Sequence, residues 1–120
     1  MRVLVVDDHA ELRKLTVQFL QILGHTPLQA QDAPEAERIA SSGEPVDIVL
    51  LDLQLGAASG LSLADDLERT RPDLRVLFMS GYGREEYLPQ MPERARRRFI
   101  EKPFTLAALE TALAALVAAG

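Results

Sequence analysis

MRVLVVDDHA (residues 1–10) sets four consecutive apolar residues, Val3 to Val6, directly against two adjacent acids, Asp7 and Asp8. A short unbroken apolar run reads as a strand buried on both faces, as in a parallel sheet covered by helices. Adjacent carboxylates repel, and desolvating them is costly unless a positive charge compensates. The junction therefore implies either two solvated acids or a site that holds a cation.

The rest of the chain repeats this alternation. HAELRKLTVQFLQILG (9–24) carries Leu12, Leu15, Phe19, Leu20 and Leu23 at helical spacing, with Gly24 as a stop. TPLQA (26–30) reads as a weaker strand and APEAERIASSG (33–43) as a short helix. VDIVLL (46–51) is a buried strand, and LSLADDLERT (61–70) is a helix closed by Pro72. LRVLFMS (74–80) is a strand, REEYL (84–88) a helical turn interrupted by Pro89 and Pro92, and RRFI (97–100) a last strand. TLAALETALAALVAAG (105–120) is the final helix. Five β–α units with mostly short connections predict a single α/β domain over 1–120, a parallel sheet with helices on both faces.

Composition agrees. A chain of 120 residues that is 48% hydrophobic can build one sizeable core. It contains no cysteine, which excludes a disulfide framework and a thiolate metal site and fits a reducing cytoplasm. No charge-free stretch reaches the roughly 18–20 apolar residues of a membrane span. The apolar run at the start is too short for a signal peptide. A net charge of −5 disfavours nucleic-acid binding by the whole surface.

In open parallel sheets, sites form beyond the carboxyl ends of the strands, where the strand order switches. The polar residues that follow the predicted strands are Asp7 and Asp8, Asp52, Ser80 and Lys102. If the first and third strands are neighbours, three carboxylates converge with a hydroxyl and a lysine beside them. Taken alone, each residue has a plainer reading. Asp8 could cap the first helix, since Asp8-His9-Ala10-Glu11 fits a capping-box pattern. Lys102 could be a surface lysine, Phe99 a core residue and Pro103 a turn. His9 and His25 have no ligand partners at metal spacing and read as structural or solvated.

VVDD, LLDLQL…SG, MSGY and EKPF, in this order across nearly all of the chain, resemble the receiver domain of two-component response regulators. MSGYGREEY is similar to receivers fused to histidine kinases, so the chain is read as a free-standing receiver or as one belonging to a larger, hybrid protein. The resemblance implies a flavodoxin-like doubly wound sheet of five parallel strands, order 2-1-3-4-5, with five helices. It implies a signalling phosphoacceptor that catalyses only its own phosphorylation and dephosphorylation. A histidine kinase or phosphotransfer protein would be its partner, and Asp52 the acceptor. Asp7 and Asp8 match the acidic pair that holds Mg²⁺, Ser80 the hydroxyl residue and Lys102 the lysine. Asp8 and Asp52 would ligate the ion directly, Asp7 through water, and Gln54 through its backbone carbonyl. Phe99 matches the aromatic switch that follows Ser80 on activation, Pro103 a cis bond that aims Lys102 into the site, and Tyr82 a side chain that shades the phosphoryl group.

These roles suit the residues. A carboxylate can attack phosphorus, but its charge opposes that of the phosphate, so cations are needed. Mg²⁺ favours few carboxylates, several waters and phosphate oxygens. One departure is Gly56, where the family often has proline, which predicts a looser loop after Asp52. Two other functions compete with the receiver reading. A magnesium-dependent phosphatase of the haloacid-dehalogenase type also uses an aspartyl nucleophile, but it places a second acid two residues on, where this chain has Gln54. Its metal acids follow the nucleophile, whereas Asp7 and Asp8 precede Asp52. A phosphorylation-independent interaction module on the same fold is opposed by the intact Asp52 and Lys102.

The last helix is expected to bury Leu106, Leu109, Leu113 and Leu116 or Val117, leaving Ala107, Ala108, Ala112, Ala114, Ala115 and Ala118 outward. Arg94, Arg96, Arg97 and Arg98 either keep an edge strand soluble or rim a docking face over 84–118. That face would take a second copy or an effector, and the resemblance supports it.

Overall fold

Strand β1 (Arg2–Val6) pairs in parallel with β2 (Thr26–Ala30) on one side and with β3 (Ile48–Asp52) on the other. The computed structural model describes residues 1–55, 58–81 and 97–118. Beyond β3 lie β6 (Arg75–Ser80) and β7 (Arg97–Glu101), so the parallel sheet has the order β2-β1-β3-β6-β7. This is the expected flavodoxin-like 2-1-3-4-5 order, with two short strands counted in between. Those two, β4 (Gln54–Leu55) and β5 (Ala58–Ser59), form a separate antiparallel pair after β3. The sequence predicts only a loop after Asp52, so this short pair is an addition to the expected fold. Among the described residues the helices are α1 (Ala10–Ile22), α2 (Ala33–Ser41), α3 (Gly60–Thr70) and α4 (Leu106–Ala118). The predicted turn at 84–88, Tyr82, Gly56, Arg94 and Arg96 fall outside the described residues.

Side chains alternate across the sheet, giving a core on each face. Val3, Val5, Leu50, Leu77 and Met79 meet Leu20, Leu109, Leu113 and Leu116 from α1 and α4. Leu4, Val6, Val49, Leu51, Val76 and Phe78 meet Ala36, Ala40, Leu63, Ala64 and Leu67 from α2 and α3. The unbroken apolar character of β1 and β3 follows, because both of their faces are covered. Helix boundaries have local causes. Gly24 adopts φ +87 just past α1, which a β-carbon would disfavour. Asp32 caps α2 by accepting from the Glu35 N–H at 3.0 Å, and Glu35 Oε1 accepts in return from the Gln31 N–H at 3.0 Å.

Two expectations about α1 and β7 are corrected. Leu15 is exposed, whereas Thr16 is buried beside Leu20. Thr16 can enter the core because its hydroxyl donates to the Leu12 carbonyl at 2.9 Å. Arg97 neither solubilises an edge nor rims a surface. Its side chain is 4% exposed, lies 5.7 Å from the Phe78 ring centroid, and donates to Asp65 and Glu68 of α3 at 2.7 Å each. Burial by itself would lower the guanidinium pKa, but the two carboxylate hydrogen bonds outweigh it and raise the value. In α4, Leu109, Leu113 and Leu116 are buried as expected, while Leu106 and Val117 are only partly so. None of the described helices is long and apolar enough to cross a membrane.

Candidate functional site

β2 is added on one side of β1 and β3, β6 and β7 on the other, and in such a parallel sheet a crevice forms at the carboxyl ends of the strands where the order switches, here β1 and β3. Asp7 follows β1 directly, and Asp52 is the last residue of β3. Both are buried, at 0% and 7% exposure. The same local device aims both carboxylates. Asp7 Oδ1 accepts from the His9 N–H at 2.9 Å, and Asp52 Oδ1 accepts from the Gln54 N–H at 2.9 Å. Each is a turn closed by the acid on the backbone two residues on. The second oxygens meet Lys102. Its Nζ donates to Asp52 Oδ2 and lies 3.6 Å from Asp7 Oδ2. Asp7 Oδ2 is buried without a hydrogen-bond partner among the described residues. Such an atom is costly unless a cation or water meets it.

The backbone holds this arrangement from three sides. The Arg13 Nη1 donates to the Asp7 carbonyl at 2.7 Å, an anchor that the sequence did not reveal. The Leu53 N–H donates to the Met79 carbonyl at 3.1 Å, continuing the β3–β6 ladder past Asp52. The Lys102 N–H donates to the Ser80 carbonyl at 2.7 Å, which ties the lysine to the end of β6. The Lys102–Pro103 bond is cis, as the resemblance implied. Gly60 opens α3 beneath the site, and its N–H donates to the Leu53 carbonyl at 2.9 Å.

The structure thus brings Asp7, Asp8, Asp52 and Lys102 together. Ser80 is buried at the end of β6, one residue beyond Met79, the register partner of Asp52. Gln54 enters through its backbone, and its side chain is exposed. Phe99 lies lower in the sheet, half-buried, with its ring 5.7 Å from that of Phe78 on the α3 face. Two readings change. Asp8 does not cap α1, because His9 is the N-cap residue and makes no side-chain cap bond. His9 is not apart from the acids, since its Nδ1 lies 3.2 Å from Asp8 Oδ1. Asp7, Asp8, His9 and Asp52 each offer a donor atom within 4.8 Å of the others. Sequence spacing alone could not pair His9 with Asp52, which arrives from another strand.

Buried acids aimed at one lysine, at the switch point of a doubly wound sheet, are the arrangement of a phosphoacceptor module. The chain belongs to the response regulator receiver domain family, whose model matches residues 3–114. It is a receiver of phosphorelay signalling. It is 36% identical over 110 residues to the sensor kinase CckA of Brucella abortus, a match covering 91% of this chain and 12% of that protein. The chain spans less than half the length of curated relatives such as this kinase. The crystal structure of the receiver domain of NtrX from Brucella abortus superposes with a TM-score of 0.82 at 34% identity, covering 96% of this chain and 98% of that one. The response regulator TrrA of Thermotoga maritima, in complex with Mg²⁺ and BeF, gives 0.83 at 28% identity over 96% and 97% of the two chains.

Proposed function

We propose that Asp52 accepts a phosphoryl group from the phosphohistidine of a histidine kinase or phosphotransfer protein, and that the adduct controls a partner or an attached domain. The carrying observation is the buried Oδ2 of Asp7, without a hydrogen-bond partner among the described residues and 3.6 Å from the Lys102 ammonium that pairs with Asp52. Three of the clustered donors are carboxylates, a set that suits Mg²⁺ completed by water. Asp8 and Asp52 would hold the ion directly, Asp7 through water, and the Gln54 carbonyl would complete the set. When bound, Mg²⁺ offsets the carboxylate charge and polarises a phosphoryl oxygen.

The chain's own residues then perform the transfer. Asp52 Oδ2 leaves Lys102 and attacks phosphorus in line with the histidine nitrogen. A phosphorus–oxygen bond forms as the phosphorus–nitrogen bond breaks, and the departing imidazole keeps the electron pair and takes a proton from solvent. Lys102 moves its charge onto a phosphoryl oxygen, and the Ser80 hydroxyl donates to another. Positioning and charge neutralisation carry this kind of reaction. Water attack on the same phosphorus returns Asp52 and inorganic phosphate. Movement of Ser80 toward the phosphoryl group draws Phe99 inward, so the switch is a two-state packing change biased by one contact. Incubation with Mg²⁺ and a small acyl-phosphate donor, followed by trapping and mapping, should place the adduct on Asp52. An unchanged adduct in Asp52→Asn would overturn the assignment.

For the output, the proposed face lies along β7 and α4. A groove of about 640 Å³ runs there, lined by Phe99, Glu101, Ala108, Thr111, Ala112 and Ala115. Small residues allow close approach of a second copy or an effector, and Phe99 links that wall to the site. Ala112→Glu and Ala115→Glu should weaken phosphoryl-dependent association in ultracentrifugation. Association equal to wild type in both would remove the face from the mechanism. The proposed setting is cytoplasmic, without membrane insertion and without nucleic-acid contact by this domain itself.

A further inference from the structure

The acidic cluster contains one donor that the chemistry above does not use. The His9 side chain is 73% exposed, and its Nδ1 lies 3.2 Å from Asp8 Oδ1 and 3.5 Å from Asp7 Oδ1. The ring is not engaged in capping α1, although His9 occupies the N-cap position. Its backbone is fixed, because its N–H donates to Asp7 Oδ1. Beside it the fully buried Asp7 keeps an Oδ2 that has no hydrogen-bond partner among the described residues and faces only the Lys102 Nζ at 3.6 Å, beyond hydrogen-bond distance.

We infer that His9 is a nitrogen ligand of this centre and gives it a preference for a transition-metal dication over Mg²⁺. The inference rests on reading the cluster as a metal site. In an octahedral shell with ligands about 2.1 Å from the ion, neighbouring donors stand about 3 Å apart. The separations of His9 Nδ1 from the two carboxylate oxygens are close to that spacing. The chemistry of the donor then decides the ion. Mg²⁺ takes oxygen ligands and gains little from imidazole. Imidazole binds Mn²⁺, Co²⁺ and Ni²⁺ with strength that rises along that series. With His9 turned outward the oxygens alone accept Mg²⁺, and with His9 engaged the same pocket holds a transition ion more tightly.

The test uses the full chain, freed of metal, titrated separately with MgCl₂ and CoCl₂ by calorimetry. The proteins are wild type, His9→Ala, and His9→Asn, which keeps a favoured N-cap residue. Both substitutions should weaken Co²⁺ binding by roughly tenfold or more and leave Mg²⁺ within about threefold. Pulsed EPR of the Mn²⁺-loaded wild type should show coupling to an imidazole nitrogen, absent in both variants. Parallel weakening of Mg²⁺ and Co²⁺, or Co²⁺ binding unchanged with no nitrogen coupling, overturns the inference. If Mg²⁺ binds and Asp52 is phosphorylated in that case, the receiver reading stands and only the role of His9 falls. If the wild type binds neither ion, the role of His9 and the Mg²⁺-dependent phosphorylation of Asp52 both fall.

Discussion

Gly60 stands directly beneath the carbonyl of Asp52: a β-carbon on Gly60 would come within 2.2 Å of that oxygen and 2.9 Å of Leu53 Cα. Both obstacles are backbone, so neither can rotate away. Gly60→Ala must push α3 from the end of β3. The expected loss is about 1–3 kcal/mol, the usual cost of overpacking, read by urea denaturation. Slower labelling of Asp52 by an acyl phosphate should accompany it. Stability equal to wild type would show that the loop absorbs a methyl group without cost.

Lys102 neutralises Asp52 and approaches Asp7. Lys102→Ala leaves those buried acids without their cation. Stability without metal should fall by about 1.5–3 kcal/mol, the scale of a charge-assisted hydrogen bond. Divalent metal should bind at least as tightly as in wild type, because a repelling charge is gone. Response to a phosphoryl mimic should be lost. Weaker metal binding in calorimetry would contradict this balance.

The Arg97 cluster predicts an asymmetry. Asp65 is 54% exposed, so Arg97→Met returns that carboxylate to water, and the cost should be small, about 1 kcal/mol. The double variant Asp65→Asn/Glu68→Gln instead leaves a buried guanidinium without acids, and about 3–5 kcal/mol should be lost. The sign of the pH effect follows from the raised guanidinium pKa. The native state holds the proton more tightly than the unfolded chain. This contribution is present at all pH below the ordinary guanidinium range and fades only in stronger alkali. Equal costs for the two variants, measured by thermal unfolding at neutral pH, would contradict the burial argument.

Phe99 and Phe78 form a tilted ring pair beneath the site. A beryllofluoride mimic with Mg²⁺ should shift the ring resonances of Phe99 and, through contact, those of Phe78. Phe99→Leu should keep the fold and the labelling of Asp52 while blunting the change at α4. An unaltered Phe99 spectrum on addition of the mimic would send the signal by another route.

What could be read from the sequence was whatever depends on neighbours in the chain. Val3 to Val6 and Ile48 to Leu51 announce buried strands because every residue in each run is apolar, and Gly24 marks a helix end through its backbone freedom. Asp7, Asp52 and Lys102 were legible because strand ends are where a doubly wound sheet gathers polar groups. The failures have separate causes, of which dependence on a partner far along the chain is one. Arg97 finds its acids 29 and 32 residues away, so a basic run resembled surface charge. Two residues each from β4 and β5 are too few to show a periodicity. Thr16 hides its polarity on its own helix and so displaces Leu15 from the expected stripe. His9 stands beside its acids in sequence, yet the set becomes a cluster only when Asp52 arrives.

Strand β3, which carries Asp52, is flanked by β1 and β6, whereas β7 leads to Lys102 and pairs with β6 alone among the described strands. The two ends of the central ion pair therefore belong to parts of the molecule with different opening free energies. Amides of Val49 to Leu51 should exchange with deuterium only through global unfolding, while those of Phe99 to Lys102 should exchange through a cheaper, local release of the sheet's border. Each such release should withdraw the ammonium while Asp52 stays folded, so that a fraction of the resting protein presents that carboxylate bare.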